Sequence, residues 1–166
     1  MTPTIRVEEM TTVKASAQSA RRTLTDPDRM ARWVAPNVTV RPHSASSSLA
    51  PGDRFLLDAF GAPDFDYLVE AVTDREVLFS FSGPWSGRER WSFIADGAET
   101  IVRRTYEVEE SESLAGLAFR TVGRALVSAH FKLELSRFRA VAEANSRPPS
   151  QIEPPSSTRS FPIDDG

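Results

Sequence analysis

The longest helical hydrophobic pattern in the chain lies between residues 113 and 145. This segment has no proline, and its second half carries apolar residues three or four positions apart: Val127, Phe131, Leu135, Phe138 and Ala142. That spacing places them on one face of an α-helix. A helix of about 30 residues would measure roughly 45 Å. Because such a helix is stable only when its apolar face is buried, we expect the rest of the chain to cover it.

Shorter segments with strand patterns and intervening turns supply a candidate surface for this helix. The strands are expected at 5–13, 38–41, 54–60, 65–72, 77–82, 88–95 and 100–109. In the fourth of these, Phe65, Tyr67, Val69 and Ala71 have the same parity, which predicts a common face. Asp96-Gly97 is a hairpin signal between the last two strands.

Two short helices are expected directly after the first strand. Ser16 begins the first, Asp26-Pro27 separates the two, and the second passes through Trp33. This order of elements predicts an α+β fold. We expect a curved antiparallel sheet of about seven strands, six in a meander and the first at an edge, wrapped around the long C-terminal helix.

Composition favours one globular domain followed by a tail. The chain has 166 residues, of which 40% are hydrophobic and 26% are charged, as is ordinary for a single domain. Residues 1–145 are expected to form that domain. Residues 146–166 hold five of the 12 prolines among many serines, which is typical of a disordered tail. Phe161-Pro162-Ile163 is a candidate docking motif within it.

Charge and motifs exclude several classes of function. The net charge of −3 gives no reason to expect a nucleic-acid partner. No apolar run approaches the ~20 residues that span a bilayer, and no signal peptide is visible. A chain without cysteine suits the reducing cytoplasm. His43 and His130 lie far apart, so we expect no metal and no other cofactor. A P-loop, G-x-G-x-x-G and a Ser-His-Asp set are absent from the sequence. The sequence leaves open whether the protein forms a homodimer.

The start of the chain resembles a known superfamily. Val13-Lys14-Ala15-Ser16-Ala17, followed by Leu24-Thr25-Asp26-Pro27 and Trp33, is similar to bacterial members of the SRPBCC, or START-like, helix-grip group. Asp96-Gly97 and the terminal helix also fit, and the resemblance covers roughly residues 4 to 144. It favours the polyketide cyclase/dehydrase and lipid-transport branch, with Aha1-type domains as the nearest alternative. The resemblance implies a deep apolar cavity between sheet and helix, but it carries over no catalytic set.

Aromatic residues on the central strands are either ordinary core or the lining of that cavity. The candidates for ligand binding are Tyr67, Phe79, Phe81, Glu89, Trp91, Phe93, Val127 and Phe131. Trp85 lies in the loop Gly83-Pro84-Trp85-Ser86-Gly87, where it is either a lid over an opening or a surface anchor at the sheet edge. Of these, we expect it at the mouth of the cavity.

Three residues are candidates for catalysis: His130, Tyr106 and Arg104. His130 is either a boundary residue or a general acid or base, with Glu89, Tyr106 or Tyr67 as expected partners. Arg90 and Arg104 are expected to be approximate neighbours on adjacent strands. They would then pair with Glu70 or Glu107 on a solvated face, or bind an anionic group of a ligand.

Three functions follow from these features. The first is binding of a hydrophobic, lipid- or polyketide-like molecule, with cyclisation or dehydration as the chemistry if the protein is an enzyme. The second is a non-catalytic lipid carrier or sensor. The third is an Aha1-like protein-interaction module, which a small cavity would favour.

Overall fold

The computed structural model describes residues 4–59, 63–109 and 122–146 of the chain. Its elements follow in the order β1 (Thr4–Val13), α1 (Ala17–Thr25), α2 (Pro27–Trp33), β2 (Val38–Pro42), β3 (Arg54–Ala59), β4 (Phe65–Val72), β5 (Glu76–Ser82), β6 (Gly87–Asp96), β7 (Glu99–Glu109) and α3 (Arg124–Ser146). The predicted α+β class, element order and number of strands are confirmed.

All seven strands belong to one antiparallel sheet in the order β1-β7-β6-β5-β4-β3-β2. The meander runs from β2 to β7, and β1 returns to pair with β7, as expected. The sheet curls into a half-barrel around α3. Its inner face and α3 bury a single core, in which Trp91, Phe55, Phe79 and Phe138 are among the largest fully buried side chains.

Local capping chemistry sets the two short helices. The Ser16 side chain accepts the N–H of Ser19 at the start of α1. Asp26 ends α1 and caps α2, because its Oδ1 accepts the N–H groups of Asp28 at 3.0 Å and Arg29 at 3.2 Å. Pro27 then occupies the first turn of α2, where a missing N–H costs nothing. These caps fix where α1 and α2 begin, and both helices contact α3.

The apolar stripe of α3 faces the sheet, as predicted. Phe131, Leu135, Phe138 and Ala142 are buried, and Val127 packs against the core at half burial. The Phe138 ring lies 5.6 Å from Trp33 and 5.2 Å from Trp91, measured between ring centroids. Residues 113–121 of the expected helical segment lie outside the described residues. So does the predicted tail at 147–166, with Phe161-Pro162-Ile163.

One prediction about strand faces was wrong. β4 and β5 pair Val69 with Phe79 but Ala71 with Leu78, so the register shifts at a β-bulge between Val69 and Ala71. An extra residue reverses the parity of everything after it. Val72 therefore packs against the core in the place that alternation assigned to Ala71.

Candidate ligand-binding pocket

A cavity of about 160 Å³ lies between the inner face of the sheet and α3. Its walls are mainly apolar, and its lining residues are Asn37, Val38, Leu57, Phe65, Tyr67, Trp85, Arg104, Tyr106, Val127, His130, Phe131 and Glu134. A void of about 20 Å³ continues toward α1 and α2, past Trp33 and Trp91. A few polar groups in an apolar cavity are the usual composition of a small-molecule site.

The structure brings many of the candidate residues to this cavity. Of the predicted ligand-binding residues, Tyr67, Trp85, Val127 and Phe131 line it, and so do all three candidates for catalysis. Phe79, Glu89 and Trp91 border the smaller void. Phe81 and Phe93 are buried elsewhere in the core, where Phe81 stacks on Tyr106 with 4.5 Å between ring centroids.

A buried carboxylate and guanidinium lie at the floor of the pocket on the sheet side. The β6–β7 register pairs Glu89 with Tyr106 and Trp91 with Arg104, so these four side chains share the inner face. Arg104 Nε donates to Glu89 Oε1 at 2.7 Å, and Trp91 Nε1 donates to the same oxygen at 2.6 Å. Tyr67 donates its hydroxyl proton to Glu89 Oε2 at 3.0 Å. Glu89 is thereby bonded on both oxygens.

Glu134 closes this network from the helix side. Arg104 Nη1 donates to Glu134 Oε2 at 2.6 Å, and the backbone N–H of Ala35 donates to Oε1 at 3.1 Å. His130, one helical turn before Glu134, places Nε2 3.2 Å from Oε1. Arg104 therefore links β6 to α3 through two carboxylates. All three charged side chains of this bridge are at most 5% exposed.

Burial and charge act in opposite directions on these groups. Burial opposes ionisation of Glu134, but the positive charge of Arg104 and the contact with His130 outweigh it and hold the pKa at about 2. Burial also opposes the charge on Arg104, yet Glu89 and Glu134 raise its pKa above the ordinary value. The pKa values of Tyr67 and Tyr106 are raised by burial and then by Glu89, so both phenols are uncharged at neutral pH.

Aromatic rings complete the walls of the pocket. The Arg104 guanidinium lies 3.6 Å from the centre of the Phe131 ring, a cation–π contact. Trp85 packs on Phe65 at 5.0 Å, and its Nε1 donates to the Tyr106 hydroxyl at 3.0 Å. Because Tyr106 accepts this bond, it can offer its own hydroxyl proton to an acceptor in the pocket.

Two expected partnerships were wrong. His130 lies beside Glu134, not beside the carboxylate or phenols expected from the sheet. Arg90 is exposed on the outer face and lies 3.9 Å from Glu76, whereas Arg104 points inward, opposite Trp91. Arg90 and Arg104 are offset by one position in the β6–β7 register. Because neighbouring positions of a strand point to opposite sides, the two side chains lie on opposite faces of the sheet.

Sequence reasoning also missed residues of the pocket. Glu134 is the most important of them, and Asn37, Val38, Leu57 and Phe65 complete the set. A signal for Glu134 exists: it follows Phe131 by three and His130 by four, so a helix places it at the edge of the apolar stripe. An acid in that position needs a buried cation.

Comparisons with known proteins agree with this architecture. The family model described as polyketide cyclase / dehydrase and lipid transport matches residues 4–143. The chain belongs to this family. No curated protein matches the sequence.

Solved structures similar to this chain include several members of the same fold. The Zhui aromatase/cyclase from Streptomyces sp. R1128 has 17% identity and a TM-score of 0.67, covering 87% of this chain and 97% of its own. The Aha1 dimer from Colwellia psychrerythraea has 15% identity and a TM-score of 0.65, covering 86% and 99%. DynU16, from the dynemicin biosynthetic locus, has 18% identity and a TM-score of 0.64, covering 85% of this chain but only 48% of DynU16. At these identities the similarity shows the fold alone.

No helix within the described residues is both long enough and apolar enough to cross a bilayer.

Proposed function

We propose that this protein binds a hydrophobic small molecule in the pocket between the sheet and α3. The observation that carries the proposal is an apolar cavity of about 160 Å³ with only a few polar groups, lined by Arg104, Tyr106, His130 and Glu134 among others. Its volume is close to that of cavities of roughly 150 Å³ that admit benzene. A single aromatic ring or a short alkyl chain therefore fits without rearrangement. A cytoplasmic location is part of the proposal, since the chain has no cysteine.

Tyr106 and His130 are the groups that we propose for chemistry on the bound molecule. The Tyr106 hydroxyl can donate to a ligand carbonyl and polarise it. Nε2 of His130 lies 3.2 Å from Glu134 Oε1, so in the tautomer with the proton on Nε2 the other nitrogen, Nδ1, is the one that can accept a proton. A hydrogen-bond donor and a base that line one cavity are what enolisation, cyclisation or dehydration of a carbonyl compound requires. Arg104 is engaged by two carboxylates, so we assign it the role of positioning Glu134 and Glu89.

Native mass spectrometry of the purified protein tests the binding function. We expect a co-purifying hydrophobic molecule that denaturing extraction releases. Val127→Phe fills the pocket and should remove that molecule, whereas Val122→Phe changes an exposed position near the start of the same helix and should retain it. A resident molecule found equally in both variants would place its binding site elsewhere.

Turnover of the released molecule separates an enzyme from a carrier. We expect Tyr106→Phe and His130→Gln to retain the molecule but to lower product formation by about 10²-fold or more, the typical contribution of a general acid or base. Recovery of unchanged ligand from the wild-type protein would favour the carrier or sensor.

A protein-interaction module is the second candidate, and two observations favour it. The cavity is smaller than the ~300 Å³ at which typical ligand pockets begin. In addition, Val122, just before α3, and Leu126 and Leu133 on α3 are 58%, 64% and 51% exposed. Sedimentation velocity tests whether this face pairs copies of the chain: Leu126→Ser together with Leu133→Ser should convert any dimer to monomer. An unchanged sedimentation coefficient would remove this face as a dimer interface.

A further inference from the structure

The charged groups around the pocket carry no net positive charge that would attract an anion. Glu89 and Glu134 contribute two negative charges, and Arg104 contributes one positive charge. His130, whose side chain is 39% exposed, is the remaining titratable group of this cluster that carries a positive charge when protonated. The sum is therefore −1 with a neutral His130 and zero with a protonated one. Neither state is positive, because Tyr67 and Tyr106 contribute no charge.

Arg104, the one buried cation among the residues that the structure describes, already bonds two carboxylates. Arg104 donates through Nε to Glu89 at 2.7 Å and through Nη1 to Glu134 at 2.6 Å. Its guanidinium also lies against the ring of Phe131. A ligand carboxylate could bond only the remaining N–H groups of Arg104, and it would be the third carboxylate around this single positive charge. That arrangement leaves buried negative charge that Arg104 does not balance, which is strongly unfavourable.

An uncharged hydrogen-bond acceptor on a ligand does not add to the negative charge of the pocket. The Tyr106 hydroxyl accepts from Trp85, and a hydroxyl that accepts can still turn its own proton toward a ligand. A ketone or similar carbonyl gains a hydrogen bond there and displaces no ion pair. Its ring would lie among Phe65, Val127 and Phe131.

We propose that the pocket selects molecules without a negative charge, so that an aryl ketone binds and a carboxylate of the same size does not. This inference rests on the proposed function and deepens it. It separates this protein from carriers of free fatty acids, whose head group is an anion at neutral pH.

Calorimetric titration with acetophenone, benzylamine and benzoate at pH 7.5 tests the inference. The three probes share one ring and differ in the charge of the attached group. We expect acetophenone to bind, benzylammonium to bind within about tenfold of it, and benzoate to bind at least tenfold more weakly. Benzoate binding as tightly as acetophenone would overturn the charge selection and leave the binding function standing. Failure of all three probes to bind would overturn both.

A matched pair of variants assigns the effect to Glu134. Glu134→Gln removes one negative charge from the pocket and keeps an oxygen for the N–H of Ala35. It should reduce the discrimination against benzoate by at least fivefold. Glu143→Gln removes a charge from the same helix outside the pocket lining and should leave the discrimination unchanged. An equal effect of both variants would overturn the assignment, since it would reflect the net charge of the whole protein.

Discussion

Arg104 is the residue on which the inner face of the sheet and α3 both depend. It bonds Glu89 of β6 and Glu134 of α3, and each carboxylate is almost fully buried. Removing one member of a buried ionic cluster costs more than the pair contributes, because the partners remain charged without compensation. The same cluster supplies two of the polar side chains that line the pocket, Arg104 and Glu134.

The variant Arg104→Met should lose roughly 3–5 kcal/mol of the free energy of unfolding, since two buried carboxylates lose their counter-ion. Urea denaturation at pH 7 measures the loss. Arg90→Met is the matched control: Arg90 is on the neighbouring strand but exposed on the outer face, so its loss should stay within about 0.5 kcal/mol. Equal losses in the two variants would show that Arg104 is not a buried ionic bridge.

The lowered pKa of Glu134 predicts how the free energy of unfolding depends on pH. This pKa is about 2 in the folded protein, against 4.5 for an unperturbed glutamate. The pKa is lowered on folding, so its contribution is fully present above pH 4.5 and is lost as the pH falls from 4.5 toward 2. By linkage the contribution is on the order of 3 kcal/mol. The difference in stability between wild type and Glu134→Gln should therefore shrink over that interval in urea denaturation. A difference that stays constant down to pH 2.5 would contradict the ionised state assigned to Glu134.

At the scale of elements, α3 holds the fold together through the stripe that its sequence predicts. Phe138 is fully buried between Trp33 of α2 and Trp91 of β6, so one side chain joins the helix layer to the sheet. Leu133 lies on the same helix but is 51% exposed. Substituting these two positions therefore distinguishes the effect of burial on stability from the effect of helix propensity.

Phe138→Ala should cost about 3–5 kcal/mol of unfolding free energy, the usual loss for a large ring removed from a packed core. Leu133→Ala should change it by no more than about 0.5 kcal/mol, because alanine favours a helix and the leucine is largely solvated. Thermal or urea denaturation followed by circular dichroism compares them. Comparable losses would mean that α3 packs through a different face.

For the whole molecule, periodicity was sufficient to predict the fold. The strand order, the edge position of β1 and the inward stripe of α3 follow from alternation, turn residues and spacing by three and four. Ala71 was misplaced because a β-bulge adds one residue without a sequence signal as clear as glycine.

The pocket was less accessible to sequence reasoning, for a physical reason. Whether Arg104 faces inward depends on the β6–β7 register, and whether it meets Glu134 depends on how α3 lies across the sheet. Arg104 and Glu134 lie 30 positions apart on different elements, so no periodic sequence pattern predicts that they pair. The candidate residues on the central strands were nonetheless found, because large aromatic residues on inward faces border either core or cavity.

The most direct test of the account is an NMR titration of the indole N–H signals with acetophenone. The chain has three tryptophans, and Trp85 lines the pocket while Trp33 and Trp91 are buried in the core. The Trp85 signal, assigned from Trp85→Phe, should shift most and saturate, and Val127→Phe should abolish the shift. If the Trp85 signal does not move, or moves equally in Val127→Phe, the pocket between sheet and helix is not a ligand site.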